Sequence, residues 1–147
     1  MPDSCSICTR VSQSERGENP FLIESFRHSI FVVGDHQYHQ GYCLLLLKRH
    51  VRELHEMQQE ELRALFEELM MATRALVKTF NPWKMNHACL GNTDEHVHWH
   101  LFPRYETDPD HRSQPWKRSD QWKDHSVLPD RAREIAARIR ANLSRRG

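Results

Sequence analysis

Glu95-His96-Val97-His98-Trp99-His100-Leu101-Phe102-Pro103-Arg104 places three histidines at every second position and follows them with a proline. Alternation with period two marks a β-strand with two unlike faces. The pattern predicts His96, His98 and His100 on one face, with Val97, Trp99 and Leu101 turned into a core. Three imidazoles in a row are a costly way to pack a face, because each carries a donor and an acceptor that need partners when buried. Three readings compete for such a strand. One is a solvated face or chance cluster. Another is a three-histidine metal site, since imidazole suits zinc and copper. The third is a nucleophilic histidine flanked by helpers. A neutral imidazole is a good nucleophile near neutral pH when one ring nitrogen is held protonated by a fixed acceptor and the other is left free.

The 147 residues suit one ordinary domain, read as 1–147, with enough chain to bury a core. Hydrophobic residues make up 38%, low but globular, and the net charge of +1 argues against bulk electrostatic binding of nucleic acid. No apolar signal segment follows Met1-Pro2-Asp3-Ser4, so a cytoplasmic location is expected. The longest apolar run, residues 43–47, is far too short to span a bilayer. The thiols of Cys5, Cys8, Cys43 and Cys89 are then expected to be buried or metal-bound rather than paired in disulfides.

Cys5-Ser6-Ile7-Cys8 is a zinc knuckle, a redox motif or a coincidence, and no second such pair follows. A redox motif calls for a βαβ context that the polar stretch 11–19 does not supply. Residues 21–23 and 29–33 read as short strands, broken by Gly34-Asp35-His36-Gln37, where Asp35 suits a turn. Gly41 precedes the apolar run of a strand covered on both faces. Residues 58–80 form the main helix, with Leu62, Leu65, Phe66, Leu69, Met70, Leu76, Val77 and Phe80 at helical spacing. Its opposite side, with Glu60, Glu61, Glu67, Glu68, Arg74 and Lys78, reads as solvated. Gln58 is the expected cap, with Met57 and Leu62 as a staple and Glu61 reaching back. Asn81-Pro82 ends the helix, and residues 83–90 give the next strand. Residues 106–128 form a polar loop whose Trp116 and Trp122 pack onto the body. Residues 129–146 form a C-terminal helix with a thin stripe of Ile135, Ile139 and Leu143 and a basic face that includes Arg145 and Arg146.

His96-Val97-His98-Trp99-His100-Leu101-Phe102 resembles the signature of the histidine-triad (HIT) family of nucleotide hydrolases and transferases, His-φ-His-φ-His-φ-φ with φ apolar. Gly41-Tyr42-Cys43-Leu44-Leu45-Leu46-Leu47-Lys48-Arg49-His50 resembles the Gly-His-x-φ-φ-φ-Pro-Lys-x-His stretch of its zinc-bearing branch, with Leu47 where proline is usual. Gly91-Asn92-Thr93-Asp94 resembles the family's phosphate loop, with Asn92 for glutamine and Asp94 for an apolar residue. The resemblance spans about residues 5–105. It implies an α+β fold, an antiparallel sheet of about five strands packed against the long helix, with the C-terminal helix beyond. It also implies a homodimer with a continuous sheet.

The resemblance implies site residues as well. His98 would be the nucleophile toward the α-phosphate of a purine nucleotide, and His100, Asn92 and Thr93 would stabilise phosphoryl charge. Asp35 would contact the ribose, and Asn86 would lie near the ligand. Cys5, Cys8, His50 and His96 each stand on a ligand position of the zinc-bearing branch, a closed Cys₂His₂ set that implies a structural zinc with no metal required for the chemistry. The rival, a catalytic zinc on His96, His98 and His100, leaves the cysteines unused and occupies the nucleophile. The expected function is hydrolysis of nucleoside phosphoramidates or dinucleoside polyphosphates through a nucleotidyl-histidine. The alternatives are a nucleotide- or partner-binding module with little turnover, and a zinc or redox protein. No membrane or nucleic-acid partner is expected.

Overall fold

In the computed structural model, which describes residues 4–144, the apolar run Cys43–Leu47 forms β3, and all five of its residues are buried. A strand with no polar face must be covered on both sides. β3 is accordingly the middle strand of a five-stranded antiparallel sheet, in the order β1-β2-β3-β5-β4. The other strands are β1 (Leu22–Ser25), β2 (Ser29–Val33), β4 (Lys84–Ala88) and β5 (His98–Arg104). Register pairs Leu44 with His100 and Leu46 with His98. On the other flank of β5, Asn86 pairs with Phe102 and Ala88 with His100. Directly opposed residues share a face, so His98 and His100 stand on the same face as Leu44, Leu46 and Ala88. The structure thus has the expected α+β architecture.

The face away from the triad packs against α2 (Gln59–Phe80) and α3 (Pro129–Arg140). Its core joins Phe31, Leu45, Leu47 and Leu101 to Leu65, Leu69 and Leu76 of α2 and to Ile135 and Ile139 of α3. Val97 and Trp99 turn into this core, as the alternation requires. α2 ends at Asn81, whose left-handed backbone (φ 47°) lets its N–H reach the Val77 carbonyl. The triad-side face carries a second, more aromatic cluster. It is covered by α1 (Ser6–Glu15) and by a 3₁₀ stretch, Pro115–His125.

Several local expectations change. α1 was not expected; it forms because Ile7, Cys8 and Val11 recur on one side and reach the sheet, a stripe too thin to stand out in a polar stretch. Gln58 caps α2 by position only, with no side-chain hydrogen bond, and Glu61 pairs instead with Arg49 at 2.7 Å. Phe66 and Val77 are exposed at 44% and 43% and do not belong to the core. Glu68 is buried, not solvated; it accepts hydrogen bonds from the His28 N–H and the Ser29 hydroxyl. The loop over 106–128 winds into 3₁₀ turns, with Trp116 and Trp122 packed on the body as expected. The C-terminal helix stops at Arg140; Leu143 packs at the margin of the core, and Arg145 and Arg146 lie outside the described residues.

The cover on the triad-side face is a stack of rings. His36 lies between Tyr42 (4.6 Å between centroids) and Trp122 (4.2 Å). Neither of its ring nitrogens has a partner among the described residues. Burial, with His39 nearby, pushes the His36 imidazole down to about 4. It therefore folds neutral, while the unfolded chain takes up a proton near the ordinary histidine value.

Two predictions follow from this packing. Removing the buried Glu68 carboxylate leaves the His28 N–H without an acceptor, so Glu68→Ala is expected to lose about 2–3 kcal/mol in urea denaturation, while the exposed neighbour Glu67→Ala stays within about 0.5. For His36, the unfolded state binds more protons between pH 6.5 and about 4, so stability falls as pH drops through that window. His36→Phe keeps the stack and removes the titrating ring. It is expected to flatten the loss between pH 7 and 5 by about 1–2 kcal/mol, read from denaturation midpoints at each pH.

Candidate active site and metal centre

His96 precedes β5 by two residues, and three of its groups are engaged. Its Nε2 lies 2.6 Å from the Leu47 carbonyl oxygen. A carbonyl only accepts, so Nε2 bears the proton and Nδ1 keeps a lone pair. That Nδ1 faces Cys5 Sγ at 3.4 Å, Cys8 Sγ at 3.5 Å and His50 Nδ1 at 3.1 Å. The His96 carbonyl in turn accepts from Nδ1 of His98 at 2.6 Å. By the same rule His98 is protonated at Nδ1, and its lone pair lies on Nε2.

The donor atoms of Cys5, Cys8, His50 and His96 lie within 4.8 Å of one another. Cys5 sits at the cap of α1 and Cys8 in its first turn, so the knuckle is built on a helix start. His50 follows the end of β3. Two thiols and two outward lone pairs are a donor set that fits zinc. The Nε2–H of His96 on a backbone carbonyl is the outer contact that orients a metal-binding imidazole. Burial, with Cys5 beside it, pushes the Cys8 thiol up to about 11. A bound dication would reverse that by stabilising the thiolate. These are the four residues expected from the resemblance, and they form a cluster compatible with zinc.

His100 lies 4.9 Å from His98 between ring centroids. Its Nδ1 is 2.8 Å from the Tyr42 hydroxyl. Burial, with His98 and His36 nearby, holds the His100 imidazole down to about 4, and burial raises the Tyr42 hydroxyl above its ordinary value. Both groups are therefore neutral at physiological pH. Tyr42 stands where the family stretch has histidine, a departure that sequence reasoning passed over although the aligned motif displayed it. Its ring also stacks on Phe102 at 4.3 Å.

The remaining candidates are spread out. Asp35, at the turn after β2, is exposed and pairs with Arg10 of α1. Asn92 and Thr93 are exposed and line a surface hollow with Cys5, His50 and Arg52, on the metal side rather than beside His100. Asn86, on β4, accepts from Arg104 at 2.9 Å. Arg104 was missed as a structural centre: it is 2% exposed and also donates to the carbonyls of Ser113 and Asp110, drawing the segment after β5 down onto the sheet. Its guanidinium also approaches the Asp108 carboxylate at 3.4 Å. Trp116, on that segment, meets His100 edge-on at 5.1 Å.

Comparison with known proteins bears on this arrangement. A search of curated sequences finds no match. Among solved structures, a histidine triad protein from Sinorhizobium meliloti is similar at 23% identity and a TM-score of 0.74, over 84% of this chain and 89% of that one. A zinc-bound histidine triad family protein from Mycobacterium smegmatis is similar at 22% identity and a TM-score of 0.67, over 95% of this chain and 93% of that one. The C. elegans NitFhit protein is similar at 22% identity and a TM-score of 0.68, over 84% of this chain but only 27% of its own length. At these identities the likeness is one of fold. The family model of the HIT domain matches residues 18–107, well over half the chain. Membership suggests a function of the nucleotide-binding or nucleotide-hydrolase type. With its triad strand, its five-stranded sheet and its Cys/His cluster in place, the chain belongs to the HIT domain family.

Proposed function

We propose that the protein is a nucleotide hydrolase that cleaves purine nucleoside phosphoramidates or dinucleoside polyphosphates at the α-phosphate. The observation that carries this reading is the hydrogen bond of His98 Nδ1 to the His96 carbonyl, which leaves a lone pair on Nε2. In the first step Nε2 forms a bond to the α-phosphorus. The bond to the leaving nitrogen or oxygen breaks, and the leaving group departs with the electron pair and takes up a proton. In the second step water attacks the same phosphorus, its oxygen forms the new bond, the phosphorus–nitrogen bond to His98 breaks, and a nucleoside monophosphate leaves. Covalent catalysis divides one displacement into two easier ones.

His100 assists as a neutral donor in this reading. The Tyr42 hydroxyl, kept protonated by burial, donates to Nδ1 of His100. The proton of His100 then sits on Nε2, available to a phosphoryl oxygen. Tyr42 is a positioning residue. Asn92 and Thr93 would reach the phosphate only with a rearrangement of their loop, and Asp35 would have to exchange Arg10 for a ribose hydroxyl.

Cys5, Cys8, His50 and His96 would hold a structural zinc. Four protein ligands close its coordination, so it would supply rigidity and no step of the reaction. The whole chain, 1–147, would act as one unit and as a homodimer. The exposed Phe66 and Val77 of α2, and the unpaired edge of β4, support that pairing. Among the described residues no helix is long and apolar enough to cross a membrane. The four free cysteines support a reducing, cytoplasmic setting. One observation favours a second reading, a binding module with little turnover: His98 is only 7% exposed beneath the aromatic cover.

Two measurements test these statements. Wild type, His98→Ala and Tyr42→Phe would be given adenosine phosphoramidate and diadenosine polyphosphates, and the nucleotides separated. Release is expected to vanish with His98→Ala and to fall about tenfold in kcat with Tyr42→Phe, the loss of one hydrogen bond to a catalytic group; a wild type no faster than His98→Ala would establish the binding module instead. Metal analysis is expected to find one zinc per chain, lost with Cys8→Ser and kept with His100→Ala. Metal lost with His100→Ala and retained by Cys8→Ser would place it on the triad.

A further inference from the structure

The 3₁₀ stretch over the triad-side face is tied at its two ends and scarcely in between. Before it, the carbonyls of Asp110 and Ser113 are held by the buried Arg104 guanidinium. At its far end, the His125 carbonyl accepts from the Gln37 N–H, and the Val127 N–H donates to the Asp35 carbonyl, both at 2.9 Å. Among the described residues, one hydrogen bond joins 115–124 to the sheet and its loops, from His39 Nε2 to the Pro115 carbonyl at 3.3 Å. Lys117 and Arg118 pair only with Asp110 of the same tail, and these ion pairs are partly exposed. Exposed ion pairs contribute little.

The segment is also jointed. Pro115–His125 consists of two short 3₁₀ turns that meet at Arg118, whose backbone (φ −113°, ψ 24°) is not helical. Trp116 stands before the joint and Trp122 after it. Ring contact is what seats them: Trp116 meets His100 and Phe102, each at 5.1 Å, and Trp122 stacks on His36 at 4.2 Å. The outer side, with Lys117, Asp120, Lys123 and Asp124, is exposed.

The seat itself is poorly satisfied. Five buried side-chain nitrogens have no partner among the described residues, and four of them lie on or under this segment: both of His36, Nδ1 of His39 and Nε1 of Trp122. His39 donates through Nε2, so its Nδ1 is an acceptor with nothing to accept. A buried donor or acceptor without a partner forfeits the hydrogen bond it makes with water. Lifting the segment returns all four nitrogens to water and exposes apolar rings; seating it does the reverse. The two costs oppose each other, as in the segments of a fold that open locally.

We propose that Pro115–His125 is a lid that swings on its two tied ends, that its closed position shields His98 and His100 from solutes, and that Trp122 seated on His36 is its latch. The 7% exposure of His98 is then a property of the closed lid. Under the hydrolase reading, on which this one consequence rests, the lid opens before a phosphate approaches His98 Nε2. The latch is separate from the proposed dimer contact, because His36 and Tyr42 flank β2 and β3, across β5 from the β4 edge.

Two arms test the lid, and neither needs turnover. The first is modification by diethyl pyrocarbonate, which acylates neutral imidazoles, followed peptide by peptide with mass spectrometry. In wild type, His98 and His100 are expected to react about tenfold more slowly than the exposed His55. Trp122→Ala is expected to speed His100 about tenfold and leave His55 unchanged, while Trp122→Phe, which keeps a ring in the seat, stays near wild type. Trp83→Ala, which removes an indole outside the lid, is the control. A wild-type His100 as reactive as His55 overturns the proposal. So does a His100 unmoved by Trp122→Ala, or an equal rise with Trp83→Ala. The second arm uses the unaltered chain, so no variant has to fold. The indole N–H groups of Trp122 and Trp99 are both buried without partners, the first on the lid and the second at the core of the opposite face. Their hydrogen exchange, followed by NMR, is expected to be about tenfold faster at Trp122. Equal rates would mean that the segment opens only with the whole fold, and the lid is refuted. If wild type and His98→Ala release nucleotide equally slowly, the hydrolase reading fails, and both arms still decide the lid.

Discussion

The site is organised by the protonated Nε2 of His96 on the carbonyl of Leu47. That one bond chooses the tautomer of His96, and the choice propagates in two directions. The free Nδ1 turns toward two thiols and His50. The backbone carbonyl of the same residue selects the tautomer of His98. A metal-compatible cluster and a nucleophile-ready imidazole thus share one residue, and β3 supplies the oxygen that orients both. Disturbing the end of β3 would therefore reach His98 without touching it.

The sheet divides the labour of the chain. One face is conventional apolar packing of leucines and phenylalanines against α2 and α3. The other face is built of rings, among them His36, Tyr42, His100, Phe102, Trp116 and Trp122, each within stacking or edge-on distance of another. Burial there keeps imidazoles neutral, and a neutral imidazole can be either donor or acceptor. The aromatic cover thus does more than fill space: it sets which groups near the triad carry charge.

Much of this was readable from residues alone, for physical reasons. The triad strand alternates strictly, and β3 is apolar throughout, so face and burial follow from period. The Cys/His set could be named because its members occupy motif positions, even though Cys8 and His96 are 88 residues apart. Other features depend on contacts that no local pattern encodes. Glu68 looks like its solvated neighbours until the His28 N–H is found beside it. Phe66 and Val77 fit the helical period yet stay largely exposed at the margin of the core, where Phe66 meets only the edge of Trp99. α1 is polar by composition and is held by three or so apolar contacts together with its cysteine cap. The loop positions Asn92 and Thr93 match a motif in order, but the structure sets them beside the Cys/His cluster, since a motif fixes sequence order and not the path of a loop.

Arg104 carries one more implication, for where the folding unit ends. The family model stops at residue 107, yet the guanidinium buried in β5 takes partners from Asp108, Asp110 and Ser113, all beyond that limit. A chain cut at the edge of the matched module would keep the cation and lose most of the oxygens around it. Burying a charge without partners is far worse than never having buried it. The polar tail is thus not an appendage that can be trimmed or exchanged at will. It is the counterpart of an arginine inside the signature strand, and any graft of another tail would have to bring oxygens to the same place.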